Sequence, residues 1–276
     1  MRLYTEYLFG LGLAPGTVRM YRSMMQRARD WADIEGVDLT DPRPSDLVAL
    51  RGEFVESAAT LRQVRCALVH YWDMMEVTQP PVKALRVPRK PTPHWRGLEV
   101  DVATVLAHEA LNWHPEGTAV LIGLFTGLRR AEIASMRWDR FTPSLDWYTV
   151  TGKGDYTDTI PIHPDLRAVL EEHRGGFVYL FPGEGRRHVN PATVWAWVRT
   201  VSEAAGMERI STHQLRHTSI AAVCDLLGIR VAQAFARHRR IDTTQIYTRV
   251  TNEQLLRAME ALPWLKRNDP PTAAAA

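Results

Sequence analysis

Five prolines between residues 78 and 93 (Pro80, Pro81, Pro88, Pro91 and Pro93) rule out a continuous helix there and divide the chain in two. Proline removes an amide donor and stiffens the backbone, so the stretch reads as an extended connector. Lys83, Arg86, Arg89 and Lys90 are interleaved with the prolines. A basic, extended connector suits the path of a phosphate backbone, and a solvated linker is the alternative. With 276 residues, 45% of them hydrophobic, the chain has enough apolar material for a core on each side of the break.

The region before the connector reads as a small bundle of about four helices. Ala14-Pro15-Gly16-Thr17 looks like a helix start with Thr17 as its cap. Val18, Tyr21, Met24, Met25, Ala28 and Trp31 then recur at helical spacing. After a break at Asp41-Pro42-Arg43-Pro44, Ser45 is placed to cap a short helix carrying Leu47, Val48 and Leu50. A further helix is expected from Ser57 to Met75, with Leu61, Val64, Leu68 and Trp72 on one stripe.

Beyond the connector the pattern is mixed. Val102 to Asn112 and Gly117 to Phe125 read as buried helices. Trp147 to Thr151 and Thr157 to Ile162 read as two short strands joined by a Gly-Lys-Gly-Asp turn, a hairpin signal. Phe177 to Phe181 is either a third strand or a buried segment. Helices are expected over Pro191 to Ala205, His213 to Leu227, Arg230 to Ala236 and, amphipathically, Thr251 to Leu265, ahead of a frayed end from Pro270.

Charge narrows the function only weakly. Thirty-four basic residues face 31 acidic ones, a formal charge of +3, but only four of the basic residues are lysines. Arginine is the better residue for forked phosphate contacts, although genomic base composition explains the bias equally well. Two cysteines, Cys66 and Cys224, fit a reducing, cytoplasmic setting. No apolar run reaches the roughly 18 residues of a membrane span, and no apolar signal segment opens the chain.

A few polar residues sit beside apolar segments. Arg129 follows Gly127-Leu128 at the end of an apolar helix, with Glu132 three residues later. Lys153 lies at the hairpin tip, His213 and Arg216 share a helix face, His238 lies within Arg237-His238-Arg239-Arg240, and Tyr247 ends Thr-Thr-Gln-Ile-Tyr. Each has an ordinary structural explanation: an Arg129–Glu132 ion pair, a charged turn, packed rings at His213 and His217, a solvated basic face, a half-buried tyrosine. Together they describe a phosphoryl-transfer site. Two guanidinium forks neutralise non-bridging oxygens as charge develops. A tyrosine hydroxyl attacks phosphorus, a lysine protonates the leaving oxygen, and histidines accept the tyrosine proton or hydrogen-bond the phosphate. No carboxylate or Cys/His cluster points to a metal.

These pieces, in this order, resemble the tyrosine recombinase family, that is, the phage integrases and Xer-type recombinases: Thr126-Gly-Leu-Arg-Arg-Ala-Glu-Ile133, Gly152-Lys-Gly154, His213-Gln-Leu-Arg-His217, His238, and Thr243-Thr-Gln-Ile-Tyr-Thr248. The resemblance covers the second region almost completely and the first more weakly. It implies a mostly α fold with a small antiparallel β-sheet: a helical core-type DNA-binding domain (1–82), the basic linker (83–95) and an α+β catalytic domain (96–276). It further implies a site-specific DNA recombinase in which Arg129, Lys153, His213, Arg216, His238 and Tyr247 are catalytic and Glu132 supports the site. Arg237, Arg239 and Arg240 join Lys83, Arg86, Arg89 and Lys90 as expected DNA contacts. The implied partner is duplex DNA with inverted core sites, bound by a homotetramer on two sites, with a C-terminal segment carrying Leu255, Leu256, Met259, Leu262 and Trp264 packing into a neighbour or onto its own domain. Neither cofactor nor metal is implied, and an arm-type domain like that of larger integrases is not expected.

Two positions depart from the family pattern. Phe235-Ala-Arg-His238 stands where Leu-Gly-His is common, so Arg237 replaces a glycine and either contacts phosphate or tunes activity. Thr212 stands where proline is frequent and is expected to cap the following helix. A DNA-binding or architectural partner with reduced catalysis is the competing reading.

Overall fold

The computed structural model describes residues 1–54, 57–88, 97–151 and 157–238. The chain divides into two compact units, Met1–Pro93 and His94–Ala276.

The first unit contains α1 (Arg2–Gly10), α2 (Pro15–Glu35), α3 (Pro44–Glu53) and α4 (Ala58–Met74). Ser57 caps α4, its hydroxyl accepting the Thr60 amide at 3.2 Å. The expected stripe Leu61, Val64, Leu68 and Trp72 is buried, each side chain contributing about 1.5–3 kcal/mol by leaving water. Two buried polar tips are satisfied by main chain: Tyr4 donates to the Ala67 carbonyl and Trp72 Nε1 to the Leu39 carbonyl, both at 2.7 Å. The expected caps of α2 and α3 are displaced by proline. Pro15 and Pro44 occupy the first helical turn, where a missing amide costs nothing, so Ala14 and Arg43 become the N-caps. Thr17 and Ser45 therefore fall inside their helices.

The connector expected from residue 83 is folded onto this unit as far as Pro88. Val82–Ala84 forms a 3₁₀ turn, Leu85 is fully buried, and Val82 and Val87 pack against the same core. Arg62 Nη2 donates to the Pro88 carbonyl at 2.8 Å. Apolar residues between the charges hold this half of the stretch down. Lys83 and Arg86 are exposed.

The second unit opens with α5 (Val100–Ala110), α6 (Glu116–Thr126) and the one-turn α7 (Arg130–Ala134). Gly117 through Gly123 of α6 are buried without a break, as their almost wholly apolar sequence requires, and the one hydroxyl among them, on Thr118, meets His114 Nδ1 at 3.0 Å. Strands β1 (Trp147–Thr151) and β2 (Thr157–Pro161) pair antiparallel in the register Trp147 to Pro161 and Thr151 to Thr157, with Tyr148, Val150 and Ile160 turned inward. Phe177–Phe181 stays outside the sheet. The Trp138 amide donates to the Val178 carbonyl and the Leu180 amide to the Met136 carbonyl, while Leu180 and Phe181 fill the core.

Then follow α8 (Pro164–Glu172), α9 (Pro191–Ala204), α10 (Thr212–Leu227) and α11 (Ile229–Ala236). Ser211 rather than Thr212 caps α10: its hydroxyl accepts the Gln214 amide at 3.2 Å and Gln214 Oε1 accepts the Ser211 amide at 2.9 Å. Thr212 is the first helical residue and is buried. The helix expected over Thr251 to Leu265 lies outside the described residues. No helix among the described residues is long and apolar enough to cross a membrane.

Candidate active site

Two helix ends converge on Arg216. Gly123 lets α6 approach α10 one residue before it: a Cβ at 123 would lie 2.9 Å from Leu215 Cδ1. Gly127 then ends α6 in the left-handed region at φ 60°. Its carbonyl accepts Arg216 Nη1, and the carbonyl of Ala236, the last residue of α11, accepts Nη2 at 2.6 Å. Helix C-terminal carbonyls carry partial negative charge, so they hold a guanidinium that is only 3% exposed.

Nη2 of Arg216 also lies 3.1 Å from His238 Nε2. A guanidinium only donates, so Nε2 accepts and the neutral ring carries its proton on Nδ1. Burial, followed by the charges of Arg216, Arg129, His217 and Arg237, pushes the His238 pKa down to about 4. The backbone here is pinned to α11 by the His238 amide on the Gln233 carbonyl and Gln233 Nε2 on the His238 carbonyl.

Arg129 is the N-cap of α7. The Glu132 carboxylate reaches back to accept the Arg129 amide on Oε2 at 2.7 Å and Arg129 Nη1 on Oε1 at 3.1 Å. Arg237 Nη2 meets the same Oε2 at 2.7 Å. Burial alone would raise the Glu132 pKa, but the Arg129 amide and the two guanidinium groups outweigh it and hold the carboxyl below the usual range.

The structure therefore brings Arg129, Glu132, Arg216 and His238 into one neighbourhood. His213, in the first turn of α10, is exposed, and its ring meets that of buried His217 edge-on at 4.4 Å. Arg237 is not the exposed phosphate contact expected from its basic surroundings: its side chain is 9% exposed and paired with Glu132. Lys153, Arg89, Lys90, Arg239, Arg240 and Tyr247 lie outside the described residues. Sequence reasoning missed the carbonyls of Gly127 and Ala236 as the partners of Arg216; a glycine closing an apolar helix was the available signal. Chemically, the half-exposed Arg129 side chain, the buried Arg216 guanidinium and a neutral imidazole are donors of the kind that can hold a tetrahedral anion.

The profile described as the phage integrase family matches residues 105–254. The tyrosine recombinase XerA of Pyrococcus furiosus is 32% identical over 150 residues, which cover 51% of this chain and 52% of that protein. XerA of Thermococcus kodakarensis is 27% identical over 272 residues and 93% of each chain. Among solved structures, a lambda integrase tetramer bound to a Holliday junction shares the fold at a TM-score of 0.72 and 18% identity, over 90% of this chain and 77% of that one. XerH bound to its difH substrate before cleavage matches at 0.70 and 16% identity, over 88% and 79% of the two chains.

Proposed function

The chain belongs to the phage integrase family, the tyrosine recombinases, and on that premise we propose that it cleaves and rejoins DNA strands at specific sites through a 3′-phosphotyrosyl intermediate. The observation that carries this reading is the Arg216 arrangement. A buried guanidinium fixed by two helix-end carbonyls, beside a neutral histidine and near a second arginine, is a preorganised site for phosphate charge.

In the proposed cycle the Tyr247 hydroxyl attacks the scissile phosphorus. A bond forms between the tyrosine oxygen and phosphorus, and the bond from phosphorus to the 5′-oxygen breaks. Lys153 gives that oxygen its proton, and His213 accepts the tyrosine proton or contacts the phosphate. Arg129 and Arg216 neutralise the non-bridging oxygens, and neutral His238 adds a hydrogen bond. Because the phosphotyrosyl link conserves the bond energy, a free 5′-hydroxyl reverses the step and reseals the strand. Exchange of partner strands before resealing passes through a Holliday junction, with four copies assembled on two duplex sites. Relatives solved on substrate DNA and on a Holliday junction support this reading. Lys83, Arg86, Arg89, Lys90, Arg239 and Arg240 are proposed DNA contacts.

The test is covalent trapping. On a suicide substrate carrying its core site, the protein is expected to form an SDS-resistant DNA adduct that Tyr247→Phe abolishes. A demonstrated binding site that gives no adduct overturns the proposal.

A further inference from the structure

We propose that Arg237 is a positioning residue: through Glu132 it sets the orientation of Arg129, so the rate of the chemical step depends on it and the hold on DNA does not. The inference rests on the recombinase reading above.

Arg237 closes α11 in the left-handed region at φ 54°, ψ 43°, a conformation that costs any residue with a Cβ and is ordinarily left to glycine. From there its side chain turns inward. Its side chain is 9% exposed and that of Glu132 10% exposed, with Nη2 and Oε2 2.7 Å apart. The Nε of Arg237 is buried without a hydrogen-bond partner among the described residues. Hydration and backbone preference both disfavour this placement, so the Glu132 contact is what holds it.

The consequence reaches the reacting neighbourhood through one carboxylate. Oε2 of Glu132 accepts both Arg237 Nη2 and the Arg129 amide, while Oε1 accepts Arg129 Nη1. Arg237 thus adds a second donor to Oε2, beside the Arg129 amide, and leaves Oε1 to the Arg129 guanidinium. The flanking residues meet the second arginine: the Ala236 carbonyl and His238 Nε2 both contact Arg216 Nη2. Residues 236–238 thus form a three-residue hook that reaches both arginines, Arg216 directly and Arg129 through the Glu132 carboxylate that Arg237 holds.

The test compares wild type with Arg237→Gly, which removes the backbone strain together with the clamp, and Arg237→Lys, which keeps the charge but not the fork. Adduct formation is followed in single turnover on saturating suicide substrate, and DNA affinity is measured across a salt series. In Arg237→Gly the adduct rate is expected to fall roughly tenfold to a hundredfold, the cost of a misplaced catalytic group, with affinity and its salt dependence unchanged. Arg237→Lys is expected to recover part of the rate. The acid limb of the rate profile is expected to move to higher pH in Arg237→Gly, because Glu132 and His238 both lose the Arg237 charge, and to stay in place in Arg237→Lys, which keeps it; a merely structural residue would leave that limb in place in both. An unchanged rate, or a rate lost only in proportion to unfolded protein, overturns the inference. So does a weaker salt dependence by about one contact, which would make Arg237 a phosphate ligand. Absence of any wild-type adduct on a bound site overturns the recombinase reading instead.

Discussion

The Arg216 guanidinium donates to His238 Nε2 at 3.1 Å, a contact that only the neutral ring can accept. Burial first, and the Arg216 charge next, push the pKa of the ring down to about 4, and a protonated ring would also set two donors against each other. An unfolded histidine titrates near 6.5. Between those values the unfolded chain binds a proton that the folded chain refuses, so stability falls as pH is lowered from about 6.5 to about 4. Above that window this group contributes no pH dependence. Urea midpoints across the range are expected to decline in wild type and to decline less in His238→Asn. An imidazole resonance for His238 that titrates near 6.5 would remove the basis of this prediction.

Replacing Arg216 tests the second relationship at the same residue. Arg216→Ala strips two buried carbonyls, those of Gly127 and Ala236, of their donor. Unsatisfied buried acceptors cost about 1–3 kcal/mol each, partly offset by relief of the buried charge, so a net loss of about 2–4 kcal/mol is expected in denaturant unfolding of the second unit. Arg216→Lys restores charge but offers a single point donor, which cannot bridge both helix ends. Adduct formation is expected to be lost in both variants. Arg216→Lys with wild-type adduct yield would show that the fork geometry is unimportant.

These relationships also mark how far the sequence alone reaches. The α4 stripe and the β1–β2 hairpin are legible because their periods, 3.6 and 2, are local properties of the chain. The helix α8 was not foreseen, because its buried face is only Leu166 and Leu170 among charged neighbours. The α10 cap shifted by one residue because Ser211 and Thr212 are both capping types and only the Gln214 reciprocal bond distinguishes them. Arg129, Glu132, Arg216 and His238 were legible as a set through motif order. The inward turn of Arg237 was not: in Arg-His-Arg-Arg a cation reads as solvated, and its partner Glu132 is 105 residues away. Long-range partners and left-handed helix ends are properties of the packed chain.

Gly127 is expected to be sensitive for two separable reasons. Its φ of 60° strains any L side chain by about 1–2 kcal/mol, and a Cβ there would lie 3.0 Å from Phe235 Cε1. Gly36→Ala is the control, since φ is 67° but nothing lies within 4 Å of the added carbon. Both variants are expected to lose about 1–2 kcal/mol of stability from the backbone. Only Gly127→Ala is expected to slow adduct formation as well, because its carbonyl orients Arg216. Equal cleavage by the two variants would show that the carbonyl position is not limiting.

The proton-donor role of Lys153 has a chemical test that needs no geometry at residue 153. If Lys153 protonates the leaving 5′-oxygen, Lys153→Ala is expected to slow cleavage of an ordinary phosphodiester by about 10²–10⁴-fold. A 5′-bridging phosphorothiolate leaves as a thiolate, which needs no proton, so the same variant is expected to cleave it at close to the wild-type rate. Tyr247→Phe is expected to cleave neither substrate, because sulfur at the leaving position supplies no nucleophile. The contrast separates departure from attack: rescue of Lys153→Ala alone assigns the proton to lysine, and a lysine variant inert on both substrates assigns Lys153 to binding or to positioning instead.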